Sequence, residues 1–296
     1  MATNTRWAEA ASLGLTPAPV AWDRGAWRAT GAPARLMSVV FGAFPDGANL
    51  RIDRTLKDSP LMAALHPRLV TRAHHGAVIE HWTRGGFGKA LDDQLEPARA
   101  EAVRGAEAAL VLQAEVADPR DLGYLRDFAQ ILARVQSPTV LATVDVHALR
   151  WATPEAVQET AGHPGFRVRD HLSTTATNDP QCAPGLRLHS RGAIKLGRPE
   201  LEIRHVRADA RALKGAALLL EGVLRLLAEG LDPVDGGSYV LPGFADHFSV
   251  VTRPDDSQGA QHFMNRSAEI RDCSLTGKVG PDASTLLAEA EGRVRA

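Results

Sequence analysis

Between Leu188 and Arg204 the chain sets Gly192, Gly197 and Pro199 inside a run that otherwise alternates as strands do, and a long apolar helix follows at once. Glycine and proline at fixed points signal a required backbone path, because glycine alone enters left-handed conformations at little steric cost. The segment therefore reads as two short strands, Leu186 to His189 and Leu201 to Val206, joined by a tight connection. It also gathers four cations (Arg191, Lys195, Arg198, Arg204) and the carboxylates of Glu200 and Glu202. Two readings follow. Arg191, Lys195, Arg198, Glu200 and Glu202, with Arg204, form a binding surface for an anionic group. Alternatively, Arg198 and Glu200 pair across Pro199 and fix the path into the helix, a contribution of only ~0–1 kcal/mol if the pair is exposed.

The helix itself spans Leu213 to Glu229. Leu213, Ala216, Ala217, Leu220, Val223, Leu224 and Leu227 form one apolar stripe at helical spacing, and Gly230 stands where a left-handed residue ends a helix. A second amphipathic helix, Asp121 to Gln136, carries Leu125, Phe128, Ala129, Leu132 and Val135 on one face, with Asp118 and Asp121 ahead of it as caps. Asp92 to Gly105 is helical in composition, and Thr153-Pro154-Glu155 opens a short helix. Strands are expected at Leu36–Phe44 (ended by Pro45-Asp46-Gly47), Leu69–Ala73, Ala77–Trp82, Ala108–Val116 and Thr139–Val146. Further strands are expected at Phe166–Thr177, Tyr239–Leu241 and His247–Val251. His74-His75-Gly76 reads as a turn.

This mixture predicts an α+β fold of mixed sheets with helices packed on one face, in two similar halves. Residues 1–34, interrupted by Pro17, Pro19 and Pro33, read as an irregular arm pinned by Trp7, Trp22 and Trp27. The first half covers 35–164, the second 165–270, and 271–296 form a weakly ordered tail.

Composition narrows the class. The 34 Lys and Arg residues balance 35 Asp and Glu, and no basic block appears, so neither nucleic acid nor an anionic membrane is expected as a partner. Cys182 and Cys273 fit no paired spacing, which argues against a disulfide framework and a zinc knuckle. No secretory leader is visible over Met1 to Trp27, and Glu221 breaks the longest apolar run, Ala216 to Leu220. With an Arg- and Ala-rich composition, these features point to a cytoplasmic bacterial protein.

The candidate chemistry is sparse. Asp145 and His147 stand two apart at the end of an expected strand, so both would face one way, as a metal pair or a carboxylate-oriented histidine. The plainer alternative is a polar strand end with Asp145 capping a turn; without a third ligand no metal site is expected. His74, His75 and His81 have spacing that suits neither strand nor helix coordination. Gly85-Gly86-Phe87-Gly88-Lys89 lacks phosphate-loop spacing and reads as a turn. Thr174-Thr175 has no legible partner as a nucleophile. His262-Phe263-Met264-Asn265-Arg266 either covers a cleft or ends a strand.

The run Ser190-Arg191-Gly192, followed by Gly197-Arg198-Pro199-Glu200-Leu201-Glu202, resembles the signature of uncharacterised bacterial domains of unknown function with a TRG…FG.PELE-like segment before a long helix. Asp121-Leu122-Gly123-Tyr124-Leu125 and Trp151-Ala152-Thr153-Pro154-Glu155 are similar too, so the likeness covers roughly 105–230. Ser190 stands where that pattern has Thr, and Leu196 where it has an aromatic residue. The resemblance implies a fold and carries no activity. The expectation is a non-catalytic factor that binds another protein, of an immunity- or secretion-associated kind, with no cofactor. The alternative is an enzyme acting on a phosphorylated or otherwise anionic small molecule, with Asp145 and His147 as acid, base or metal ligands and the arginines holding charge.

Overall fold

The structure, a computed structural model, describes residues 22–24, 32–44, 59–252 apart from 118, 137 and 235, and 267–294 apart from 275. Trp7 and Trp27 of the expected arm, the turn at Pro45-Asp46-Gly47, Asp118 and the His262–Arg266 group lie outside the described residues. The chain divides into two compact units, Gly31–Phe166 and Arg167–Ala296 with Met1–Thr30. Each joins a sheet to helices, so the fold is α+β.

In the first unit five antiparallel strands stand in the order β2 (Leu65–Thr71), β3 (Ala108–Val116), β1 (Ala34–Gly42), β4 (Val140–Asp145), β5 (Arg150–Ala152). Strand alternation sends Val39, Phe41, Ala109, Val111, Ala142 and Val144 to one face. There they meet Ile79 and Trp82 of α2 (Arg72–Thr83), Ala90 and Leu91 of α3 (Gly85–Gln94), and Ala100 and Val103 of α4 (Pro97–Arg104). The opposite face is covered as well. The short α1 (Pro60–Ala64) packs on β3, and Gln136, at the end of α5 (Gly123–Val135), donates to the Thr143 hydroxyl of β4 at 3.4 Å. α6 (Pro154–Gly162), capped by the Thr153 hydroxyl, packs on α5 and β4. The first sheet thus departs from the expected single covered face. Both faces of its central strands are apolar, which a single helical layer would leave in water.

The second unit holds the order β6 (Ser173–Thr177), β7 (Leu186–Arg191), β8 (Glu200–Val206), β11 (Ser267–Cys273), β10 (His247–Thr252), β9 (Tyr239–Val240). The pair β8–β11 is parallel and every other pairing is antiparallel. Among the described residues the two units therefore differ in strand number and direction. α8 (Ala210–Ala228) lies on β7 and β8, with Ala212, Ala216, Leu219, Leu220, Val223, Leu224 and Leu227 buried. α9 (Ser284–Arg293) packs along α8 and β11, and Gly215 permits the approach: a Cβ there would sit 2.9 Å from the Glu291 nitrogen. The segment 271–296, expected to be weakly ordered, thus completes β11 and supplies a helix whose Leu286 and Ala290 are buried.

Three local expectations change. Ala77–Trp82, read as a strand, is helical in α2, and its buried Ile79, Trp82 and Thr83 follow a helical rhythm. Gly85–Lys89, read as a turn, opens α3. Phe166–Thr177 splits into one helical turn, α7 (Val168–His171), and β6. Of the amino-terminal residues, Arg24 donates to the Ala228 and Leu227 carbonyls at 3.1 and 3.0 Å, and Trp22 meets the ring of His171 edge-on at 6.2 Å.

Candidate functional site

The second sheet is apolar on the side of α8, where Leu188, Leu201, Ile203, Ala268, Ile270, Phe248 and Val250 are buried. Alternation sends the other residues of the same strands to the opposite face, and the register sorts them into rows. One row carries Thr175, His189, Glu202, Glu269 and Val251 across β6, β7, β8, β11 and β10. A step away lie Thr177 and Arg187 on β6 and β7, Arg204 and Arg271 two residues beyond the paired Glu202 and Glu269, and Ser249 directly opposite Arg271. A chain that exposed this face would need no explanation, yet its centre is shielded from water, with Arg187, Arg204 and Arg271 half-buried around it. Glu202 is 1 % exposed, Glu269 4 %, His189 2 % and Ser249 0 %.

Carboxylates and guanidinium groups compensate one another there. Glu202 is 3.7 Å from Arg187 and 3.5 Å from Arg204, and Arg271 donates to Glu269 at 2.8 Å. Asp179, between β6 and β7, lies 3.5 Å from Arg187 and 3.4 Å from Arg204. Burial works against the Asp179 charge, but the Gln181 N–H and then the two guanidinium groups outweigh it and hold its carboxyl below the ordinary value. Burial presses Arg191 the other way, below its ordinary value, against the opposing pull of Glu200. Buried charge is costly unless compensated, so pairing is the condition on which this face exists.

The expected binding residues occupy defined places around it. Gly192 (φ +98) and Gly197 (φ +66) are left-handed, and between them Ala193–Leu196 form a 3-10 turn in which Lys195 is buried. Glu200 closes this loop: its carboxylate accepts from the Ser190 hydroxyl at 2.6 Å and from the Gly192 N–H at 2.9 Å, and the Ser190 oxygen accepts from the Leu201 N–H at 2.8 Å. Arg198 is turned inward, donating to the Leu231 and Gly197 carbonyls at 3.2 and 3.3 Å and lying 3.9 Å from Asp232. With Arg24 it brings a second guanidinium to the carboxyl end of α8, where the helix dipole favours cations. Glu202 and Arg191 belong to the charged sheet face by alternation.

Asp145 and His147 fall in the other unit and do not share a strand face. β4 ends at Asp145, whose carboxylate accepts from the Ala148 N–H at 3.0 Å, and His147 sits in the turn that this bond closes. Leu149, at φ +52, completes the reversal into β5. His74 accepts or donates at the Thr71 hydroxyl at 3.0 Å, and His75 marks the kink in α2. Cys182 and Cys273 are buried free thiols, and burial pushes the Cys182 thiol up, away from the reactive thiolate. Among the described residues no group of three or more His, Cys, Asp or Glu could hold a metal ion, and no helix is long and apolar enough to cross a membrane.

Arg187, His189, Ser249, Glu269 and Arg271 were not candidates on sequence grounds. One signal existed: Glu202-Ile203-Arg204 and Glu269-Ile270-Arg271 repeat the same tripeptide, and the fold lays the two copies on adjacent parallel strands. Comparison of the chain with protein-family models, with curated proteins and with solved structures returned no match.

Proposed function

We propose that this protein binds a small charged molecule over the polar face of the second sheet. The observation that carries the reading is the concentration of Arg187, His189, Glu202, Arg204, Glu269 and Arg271 from three adjacent strands on one face, where His189, Glu202 and Glu269 are buried and the three arginines half-buried. Sheets cover such a face with apolar side chains when stability alone is at stake, since replacing buried ion pairs by hydrophobic residues is often neutral or stabilising. Clusters of buried titratable groups are also where binding and catalysis concentrate. The same reading favours the small-molecule alternative over the protein-binding one, with the arginines of this face in place of Asp145 and His147.

A thermal-shift screen against cationic, zwitterionic and anionic metabolites tests it, run on the wild type and on Thr175→Trp, which plants a bulky ring at the border of the face. Saturable stabilisation of the wild type by a member of the set, lost in the variant, is the expected result. Wild-type melting that no compound changes would sink the reading.

One feature favours the second reading, a protein partner. β6 is an edge strand of sequence Ser-Thr-Thr-Ala-Thr, with neither charge nor proline to discourage pairing. An extended segment of another protein would add to such an edge by main-chain hydrogen bonds. A stoichiometric complex abolished by Thr174→Lys, with no small-molecule binding, would establish this reading instead.

A further inference from the structure

Among the described residues each sheet ends in two edge strands, and β6 differs from the rest. β2 carries Pro67 and Arg68, β5 is three residues long and begins with Arg150, and β9 has two residues. Short length, charge and proline are the devices by which edge strands avoid pairing with another chain. β6 has no charge and no proline. It is five residues long, pairs with β7 along its whole length, and among the described residues has no strand on its other side. Thr174, Thr175 and Thr177 are half-buried, as on a strand covered on one face and open at its edge.

The sequence of this edge matches itself when reversed. Alternation sends Ser173, Thr175 and Thr177 to the face of Arg187 and His189, and Thr174 and Ala176 to the face of Leu188. An antiparallel strand of the same sequence, centred on Thr175, sets Ser173 against Thr177, Thr174 against Ala176, and Thr175 against its own copy. On one face every pair then joins two hydroxyls, a combination that stabilises antiparallel strands. On the other face small side chain meets small side chain, and no charge within the strand meets its like. A two-fold axis normal to the sheet produces this pairing. The contact is isologous, so it closes at two copies and does not propagate.

We propose that this chain forms a two-fold dimer in which β6 pairs antiparallel with β6 of a second copy about Thr175. The proposal rests on the reading of β6 as a pairing edge and names its occupant; it does not require a small molecule on the polar face. Pairing of this kind makes the two sheets continuous and brings their polar faces to the same side.

The test is sedimentation equilibrium of the full chain over a range of concentrations, with circular dichroism to show that each variant is folded. The wild type should sediment as a dimer that dissociates on dilution. Thr175→Lys and Thr175→Glu each place like charges directly opposite on the axis, so each alone should dissociate about ten-fold more readily or worse. Mixed in equal amounts, the two variants bring opposite charges together, and the dimer should return. A role for Thr175 confined to one copy predicts no rescue on mixing. Should either variant fail to fold, Thr175→Cys replaces the pair. Cys182 and Cys273 are buried, so oxidation by glutathione disulfide should link two copies through the axial position. Ser173→Cys, whose two copies lie at opposite ends of the paired strands, should not be linked.

A monomeric wild type overturns the dimer, as do folded variants that associate like the wild type, mixing without rescue, or no axial link in Thr175→Cys. The edge reading of β6 survives these results if a foreign segment binds and Thr174→Lys abolishes the complex.

Discussion

β3 and β8 are both interior strands, and Ala108–Leu112 of the one and Glu200–Ile203 of the other are withdrawn from water on both faces, but by different means. In β3, Ala109 and Val111 face one helical layer while Ala108, Leu110 and Leu112 face the other, so hydrophobic burial alone holds the strand. In β8 Leu201, Ile203 and Val206 are held that way; Glu202 on the reverse side is buried because Arg187 and Arg204 stand beside it. Burial in the first sheet is unconditional, whereas in the second it depends on each charge keeping its partner. Equal exposure therefore conceals unequal robustness, and the less robust surface is the one with chemistry to offer.

The largest effect that tests this contrast belongs to the apolar sheet. Phe41→Ala, which empties a fully buried site against Trp151, should cost about 3–5 kcal/mol in urea denaturation. Glu202→Leu should come next, at about 2 kcal/mol, because it adds apolar volume yet strips counter-charge from two arginines that retain Asp179. A neutral Glu202→Leu would erase the distinction between the sheets.

Gly192→Ala should cost about 1–2 kcal/mol, since φ is +98 there and a Cβ would lie 3.1 Å from the His171 carbonyl. Denaturation with the loop variant also reveals whether the Glu200-closed connection is as rigid as the sheet it serves.

The smallest effect is a pH dependence on α8. Burial raises the Glu221 carboxyl, with Arg169 partly opposing it, so the folded state binds the proton more tightly than the unfolded one. Its contribution is therefore fully favourable below the ordinary value of 4.5 and becomes a penalty as pH rises through the raised one. Glu221→Gln should match the wild type at pH 4 and exceed it in melting temperature at neutral pH. Equal melting at both would place Glu221 outside the balance altogether.

Much of the scaffold was readable before any coordinates. Most of the stripe of α8 (Ala216, Leu220, Val223, Leu224 and Leu227, but not Leu213 or Ala217), the apolar run of β3, the helix opened at Thr153-Pro154-Glu155 and the left-handed Gly230 follow from local rules that tertiary packing did not override. Ala77–Trp82 misled because its apolar spacing fits two periods, and only packing of Ile79 and Trp82 on the first sheet selects the helix. The charged face was hidden for a different reason. Alternation in Leu201–Arg204 announces which side chains share a side, but whether that side is wet depends on strands some seventy residues apart in sequence. The sixty-seven-residue offset between the two Glu-Ile-Arg copies is visible in the chain; their parallel adjacency is a property of the fold.

The bonds from Arg24 to the end of α8 bear on how the chain is made. Their acceptor at Ala228 lies 204 residues downstream. At a ribosomal rate of about 5–20 residues per second, the arginine waits about 10–40 s for that carbonyl to be synthesised. By its end the whole of Gly31–Phe166 has already been made. The first unit is thus synthesised in full before the second acquires its helix, and Arg24 is among the last residues to find its partners.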